Sequence, residues 1–386
     1  MRLANRVAKL PPYLFAEVSK RIAQRHAEGH DVISLGIGDP DLPTPQHIVD
    51  AMAQLVHDPA NHRYPESEGL PEFRQAVAEW YDRRFGVVLD PKREIISLIG
   101  SKEGIGHIAL CVIDPGDIAL VPDPGYPVYA VGTMFAGGWS YYLPLKEENG
   151  FLPDLEAIPS QVVDHAKVLW LNYPNNPTGA VATVDFFERA IVFAKKHELL
   201  ICHDGPYADV AFDGYKPLSF LEVPGAKEVG IEFNSLSKTY NMTGWRIGVA
   251  VGNPQAVDAM LRVKTNLDSG VFAAVQRAAI VALRGPQDEI PHHNAIYQRR
   301  RDVTVATLHQ MGLRVQSPKA SLYIWARIPA GYTSIQFSTK VLEESDVFVT
   351  PGVGYGPNGD DYIRISLTTA DARLDEAMAR LQRLRF

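Results

Sequence analysis

Between residues 31 and 252 the chain repeats one pattern. Apolar runs of four to seven residues end in polar turns, and amphipathic stretches separate several of them. The runs are 31–36 (DVISLG), 94–100 (EIISLIG), 117–121 (DIALV), 139–145 (WSYYLPL), 166–172 (AKVLWLN), 199–204 (LLICHD), 230–236 (GIEFNSL) and 247–252 (IGVAVG). Runs this continuously apolar suit strands buried on both faces, as in a mostly parallel sheet. The stretch 184–198 (VDFFERAIVFAKKHE) has the helical spacing needed to cover such a sheet. The expected fold class is α/β, a largely parallel sheet with helices on both faces.

At 386 residues the chain exceeds what one small core organises. After about residue 290 the pattern changes to 320–328 (ASLYIWARI), 347–352 (VFVTPG), 361–367 (DYIRISL) and a terminal helix over 371–386. This predicts a large domain over 45–285 and a smaller α/β domain from 286–386 joined by the N-terminal arm, 1–44. A net charge of −7 argues against a nucleic-acid partner, which would favour a basic surface. No apolar stretch reaches the roughly 20 residues of a membrane span, and no signal-peptide run opens the chain, so the expectation is a cytoplasmic protein with no membrane partner. Cys111 and Cys202 read as reduced core thiols, and the twelve histidines show no ligand spacing that predicts a metal.

In open α/β sheets ligands bind beyond the carboxyl ends of the strands, and the polar residues cluster there. Gly100, Ser101 and Lys102 follow one run and open a helix whose free N–H groups suit a phosphate. Asn176 to Gly179 follow the run 166–172, Asp204 ends 199–204 with Tyr207 just after it, and Ser235, Ser237 and Lys238 stand at the end of 230–236. Each cluster alone is more often a turn or a helix cap. Four in sequence order, brought to one sheet edge, point to a single site.

A lysine amine at such an edge can condense with an aldehyde to form a Schiff base. A pyridine aldehyde with a phosphate handle then needs an acid for its ring nitrogen, donors for its phenolic oxygen and a phosphate cradle. Asp204 suits the nitrogen, Tyr207 and Asn176 the phenolic oxygen, and Ser101, Lys102, Ser235, Ser237 and Arg246 the phosphate. Lys238 suits the aldehyde. His203 reads as a residue that orients Asp204 or sits in the core, and Trp245 as packing beside Arg246.

With "NNPTG", "HDGPY" and "SLSKTYNMTGWRIG" in order, 28 residues from Asn176 to Asp204 and 34 from Asp204 to Lys238, the whole chain resembles the fold-type I pyridoxal-phosphate enzymes of the class I/II aminotransferases. The resemblance implies pyridoxal 5'-phosphate as cofactor, amino acids and 2-oxo acids as substrates, and 45–285 as the cofactor-binding domain. It implies that Tyr126 stacks on the cofactor ring and that Arg364 clamps the substrate α-carboxylate. It also implies that Tyr64 reaches the phosphate of a neighbouring subunit, in a homodimer with shared active sites. Lys238, displaced by the amino donor, would serve as general base and acid for the proton shift.

"LPPYLFAEV", "VISLGIGDPDLPTPQHIV" and "GSKEGI" narrow the resemblance to the LL-diaminopimelate aminotransferases of lysine biosynthesis. There the matching residues imply substrate contacts from Tyr13 and Gly38, with Lys102 facing the distal carboxylate and Tyr126 and Asn176 beside the substrate. Plant-type members carry a glutamate for the distal ammonium where this chain has Ser67, flanked by Glu66 and Glu68. Alanine, aspartate or broad glutamate-linked transamination, C–S lyase chemistry and a non-catalytic ligand-sensing module are the alternatives that the residues leave open.

Overall fold

A computed structural model of the chain describes residues 1, 3–8, 10 and 14–386, with only the backbone of 14–19. Tyr13 lies outside the described residues. In chain order the strands are β1 (Ile33–Ser34), β2 (Ile95–Leu98), β3 (Ile118–Asp123), β4 (Trp139–Pro144), β5 (Ala166–Leu171), β6 (Leu200–Asp204), β7 (Gly230–Ser235), β8 (Gly248–Gly252), β9 (Arg314–Val315), β10 (Tyr323–Arg327), β11 (Val347–Phe348), β12 (Thr350–Pro351) and β13 (Tyr362–Ser366).

Strands β2 to β8 form one seven-stranded sheet in the order β2-β8-β7-β6-β5-β3-β4. Neighbours run parallel except at β8, which is antiparallel to both β2 and β7. The β7–β8 connection explains the exception. It holds one helical turn (Leu236–Thr239) and a short 3-10 turn (Thr243–Trp245), with no helix long enough to cross a sheet face. The chain therefore turns back beside β7, and this return loop carries both Lys238 and Arg246.

Alternation along the central strands feeds two cores. Val168 and Trp170 face one side with the helices Ser101–Val112 and Pro254–Leu267, while Leu169 and Leu171 face the other with Pro71–Phe85 and Val184–His197. That two-sided burial is why the runs contain so few polar residues. In Val184–His197 the buried side chains are Phe186, Phe187, Ala190, Ile191 and Ala194, one stripe of the helix. Thr183 caps it by accepting from Phe186 N.

A third core gathers β9, β10 and β13 with Tyr297, Val305, Leu308, Phe337, Val341, Leu374 and Met378 from three helices. Its sheet, β12-β13-β10-β9, is antiparallel. The run 31–36 contributes only β1, paired in parallel with β11. It stops there because the next carbonyls turn elsewhere: Leu35 O accepts from Ser366 N, and Gly36 O accepts from Thr350 and Arg364. The terminal helix ends at Leu381, short of the expected 386.

Candidate active site

The carboxyl ends of β2, β3, β5, β6 and β7 open onto one cavity of about 370 Å³, closed from the other side by residues 37–39, Tyr323 and Arg364. It brings together Gly38, Ser101, Lys102, Tyr126, Asn176, Asp204, Tyr207, Ser235, Ser237, Lys238, Arg246 and Arg364. Tyr64 is not among them and is 92% exposed. Glu66 is also exposed, while Glu68 lines a second cavity with Arg74, Arg93 and Arg262.

Lys238 sits in the one-turn helix after β7, its Nζ donating to Gly38 O at 3.0 Å. Burial lowers its pKa from the ordinary lysine value, with Arg364 and Arg246 adding to the fall and Tyr323 and Asp39 opposing it. The amine is thus biased toward the neutral, nucleophilic form. Gly38 has to be glycine, because a Cβ there would stand 2.1 Å from Tyr323 Oη.

Asp204 ends β6, where a buried strand delivers it to the cavity. Tyr129 Oη donates to its Oδ2 at 2.7 Å, and its Oδ1 is buried with no partner among the described residues. Burial pushes its carboxyl up to about 6, against the lowering pull of Tyr129 and His203. His203, the preceding strand residue, points to the opposite face and pairs through Nδ1 with Glu232 Oε2 at 2.9 Å. It is a core residue and makes no hydrogen bond to Asp204.

Ser235 caps the Lys238 turn, its Oγ accepting from Ser237 N. Arg246 is pinned by donating to Thr243 O at 3.0 Å and Ile99 O at 3.2 Å. Together with the N-terminus of the helix Ser101–Val112, these groups form a donor-rich pole of the cavity. Trp245 is half-buried and packs against the large core.

Across the cavity, Arg364 is 2% exposed. Its Nη1 donates to Asn176 Oδ1 at 2.9 Å and its Nη2 to Gly36 O at 2.6 Å. The guanidinium lies over the rings of Tyr323 (4.1 Å) and Tyr355 (4.8 Å). Tyr207 Oη and Tyr323 Oη are 3.0 Å apart, and burial raises the Tyr207 phenol well above its ordinary value, keeping it protonated.

Two site residues lacked a local sequence signal strong enough to mark them. Tyr323 reads as one more apolar residue of β10. Tyr129 stands three residues after Tyr126 in "DPGYPVY", inside the helix Val128–Ala136 that begins two residues beyond Tyr126.

The donor set suits a pyridine aldehyde bearing a phosphate. The orphaned Asp204 Oδ1 is an acceptor for a ring N–H, Lys238 is an amine for the aldehyde, and the donor pole matches a phosphate. Arg364, at the far end, carries a planar fork of the shape that suits a carboxylate.

Residues 30–381 match the family described as aminotransferase class I and II. The chain is 60% identical over 381 residues to a protein of Dehalococcoides mccartyi strain 195 named LL-diaminopimelate aminotransferase, covering 99% of this chain and 98% of that one. It is 56% identical over 384 residues to a protein of the same name from Moorella thermoacetica, covering 100% and 98%. Among solved structures, substrate-bound BacF from Bacillus subtilis superposes with a TM-score of 0.95 at 41% identity, over 99% of this chain and 97% of that one.

Proposed function

This chain belongs to the aminotransferase class I and II family, whose members depend on pyridoxal phosphate, and we propose that it transfers an amino group between LL-diaminopimelate and 2-oxoglutarate, in lysine biosynthesis. The observation that carries the substrate is the near-full-length identity to relatives named for that reaction. The cofactor supplies, when bound, an electron sink for the pair released as a bond at the substrate α-carbon ionises.

The side chains divide the remaining work. Lys238 Nζ would hold the aldehyde and, once displaced by the substrate amine, would take the α-proton and return it two bonds away, on the far side of the amine nitrogen. Its desolvated position suits this, because a lysine held as ammonium cannot accept a proton. Asp204 Oδ1 accepts the ring N–H and, facing that cation, ionises below its cofactor-free value of about 6. Tyr207 and Asn176 orient the phenolic oxygen, and the ring of Tyr126 covers one face. Ser101, Lys102, Ser235, Ser237 and Arg246 bind the phosphate.

Arg364 binds the α-carboxylate, and its bonds to Asn176 and Gly36 fix the guanidinium before substrate arrives. Gly38 gives the substrate room beside Tyr323. Lys102 faces the distal carboxylate. Tyr64, exposed and outside the lining of its own cavity, fits a role in the phosphate site of a second copy, which would make the working form a homodimer. The absence of any long apolar helix among the described residues fits a cytoplasmic enzyme.

A panel of amino donors tests the substrate. With 2-oxoglutarate as acceptor, LL-diaminopimelate is expected to give the highest kcat/KM among the diaminopimelate isomers, alanine and aspartate. Turnover of alanine or aspartate with none of LL-diaminopimelate would overturn the substrate while leaving the family intact.

A further inference from the structure

Behind the donor pole lies a buried charge cluster that the reaction above leaves unused. Lys264, on the helix Pro254–Leu267, is 1% exposed. Its Nζ donates to Glu103 Oε1 at 2.8 Å and to Asp268 Oδ1 at 2.8 Å. A buried ammonium persists only when paired, and these two carboxylates pair it. His107 Nδ1 stands 3.6 Å from Glu103 and 3.9 Å from Asp268, beyond hydrogen-bonding distance. The two carboxylates and the imidazole are close enough to hold a metal ion, but the Lys264 ammonium already bridges the carboxylates and supplies the positive charge.

The second oxygen of Glu103 reaches the loop that leads into the site. Its Oε2 accepts from Ile99 N at 2.5 Å. The carbonyl of the same residue accepts from Arg246 Nη2 at 3.2 Å. Gly100, at φ +73°, packs close to the guanidinium, where a Cβ would stand 2.2 Å from Arg246 Nη2. Ser101 then opens its helix at the cavity wall. One run of contacts therefore joins Lys264 to Glu103, Ile99, Gly100, Ser101 and Arg246.

Glu103 can hold Ile99 N only while its carboxylate stays inside, and Lys264 is what keeps it there. Without the ammonium, Glu103 and Asp268 are two like charges facing each other at a half-buried site. Glu103 relieves that by turning outward or taking up a proton, and either change weakens its grip on Ile99. The loop carbonyl that holds Arg246 then loses its fixed position.

We propose that Lys264 and Glu103 are positioning residues for the phosphate pole, a buried ion pair that holds residues 99–101 and Arg246 in register. This rests on the reading that Ser101 and Arg246 bind the cofactor phosphate. Neither residue lines the cavity, so the effect is confined to groups that depend on the loop.

Titrating cofactor-free protein with pyridoxal 5'-phosphate, and separately with pyridoxal, which lacks the phosphate, tests the proposal. Glu103→Gln and Lys264→Met are each expected to weaken pyridoxal phosphate by at least about tenfold and pyridoxal by less than about twofold, since charge-assisted contacts to the phosphate are what the loop sets. Glu103→Gln keeps the side-chain volume and carries the test if Lys264→Met does not fold. Unchanged affinity for pyridoxal phosphate, or equal loss for both ligands, would overturn the proposal. A wild type that binds pyridoxal as tightly as pyridoxal phosphate would instead contradict the phosphate site itself, and the proposal would fall with it.

Discussion

Tyr129 donates a 2.7 Å hydrogen bond to Asp204 Oδ2 and leaves Oδ1 buried without a partner among the described residues. The Tyr129 ring stacks on Trp170 with centroids 4.5 Å apart, which fixes where its hydroxyl can reach. One carboxylate oxygen is thereby anchored and the other is aimed into the cavity.

This arrangement costs stability when no cation faces Oδ1. The folded-state pKa of Asp204, about 6, lies above its ordinary 3.8, so the folded protein binds the extra proton between those values. Stability from this group is then full below about pH 4 and falls as pH rises toward 6, leaving a cost on the order of 3 kcal/mol above that. Asp204→Asn keeps an acceptor for Tyr129 and removes the charge. Cofactor-free Asp204→Asn should resist urea better than wild type at pH 8 and about equally near pH 4. Its transamination should drop by about three orders of magnitude, because an amide cannot stabilise the ring proton. Equal urea midpoints at pH 8 would refute the buried-charge argument.

Arg364→Lys separates substrate binding from cofactor binding. Lysine cannot reproduce the fork that reaches Asn176 and Gly36, nor lie flat between Tyr323 and Tyr355. Loss of a charge-assisted bond to the α-carboxylate should lower kcat/KM for every amino donor by about 10- to 100-fold. Affinity of the cofactor-free protein for pyridoxal phosphate should stay within about twofold. An equal loss of cofactor affinity would place Arg364 in the cofactor site instead.

Much of this site was legible because its chemistry stands at strand ends, where local sequence reports both the strand and the polar residue that ends it. Asp204, Lys238 and the Asn176 loop are of that kind. What closes the cavity was less legible, because it comes from contacts distant in sequence. Lys238 meets Gly38 across 200 positions, and Arg364 meets Gly36 across 328. Tyr323 is hidden in a strand whose next three residues, Ile324, Trp325 and Ala326, are apolar, and no local pattern shows that its hydroxyl stops at Gly38. The turn-back of β8 has no signature of its own for a related reason, since a parallel and an antiparallel strand with both faces buried read alike. His203 shows the converse: adjacency to Asp204 in a strand sends the two side chains to opposite faces.

The proposed recognition of the distal end of diaminopimelate rests on the loop after Tyr64. Glu66 is exposed, whereas Glu68 lines a separate cavity beside Arg74 and Arg93. If the working form is the proposed homodimer, Glu66 is the better placed of the two to meet the distal ammonium in a partner's cavity. Glu66→Gln should lower kcat/KM for LL-diaminopimelate by at least about tenfold, roughly 1.4 kcal/mol, and leave glutamate nearly unchanged because glutamate has no distal ammonium. Glu68→Gln should change neither. Equal losses for the two donors with Glu66→Gln would remove this assignment.

The most direct test of the site is where the cofactor becomes attached. Protein loaded with pyridoxal phosphate and reduced with borohydride should carry one stable pyridoxyl label, found by peptide mass spectrometry on Lys238. Lys238→Ala should abolish that label and nearly all turnover, while phosphate contacts still retain some cofactor. A wild-type label on Lys102, Lys264 or any other lysine would contradict the assignment of this cavity and of Lys238 as its reactive amine.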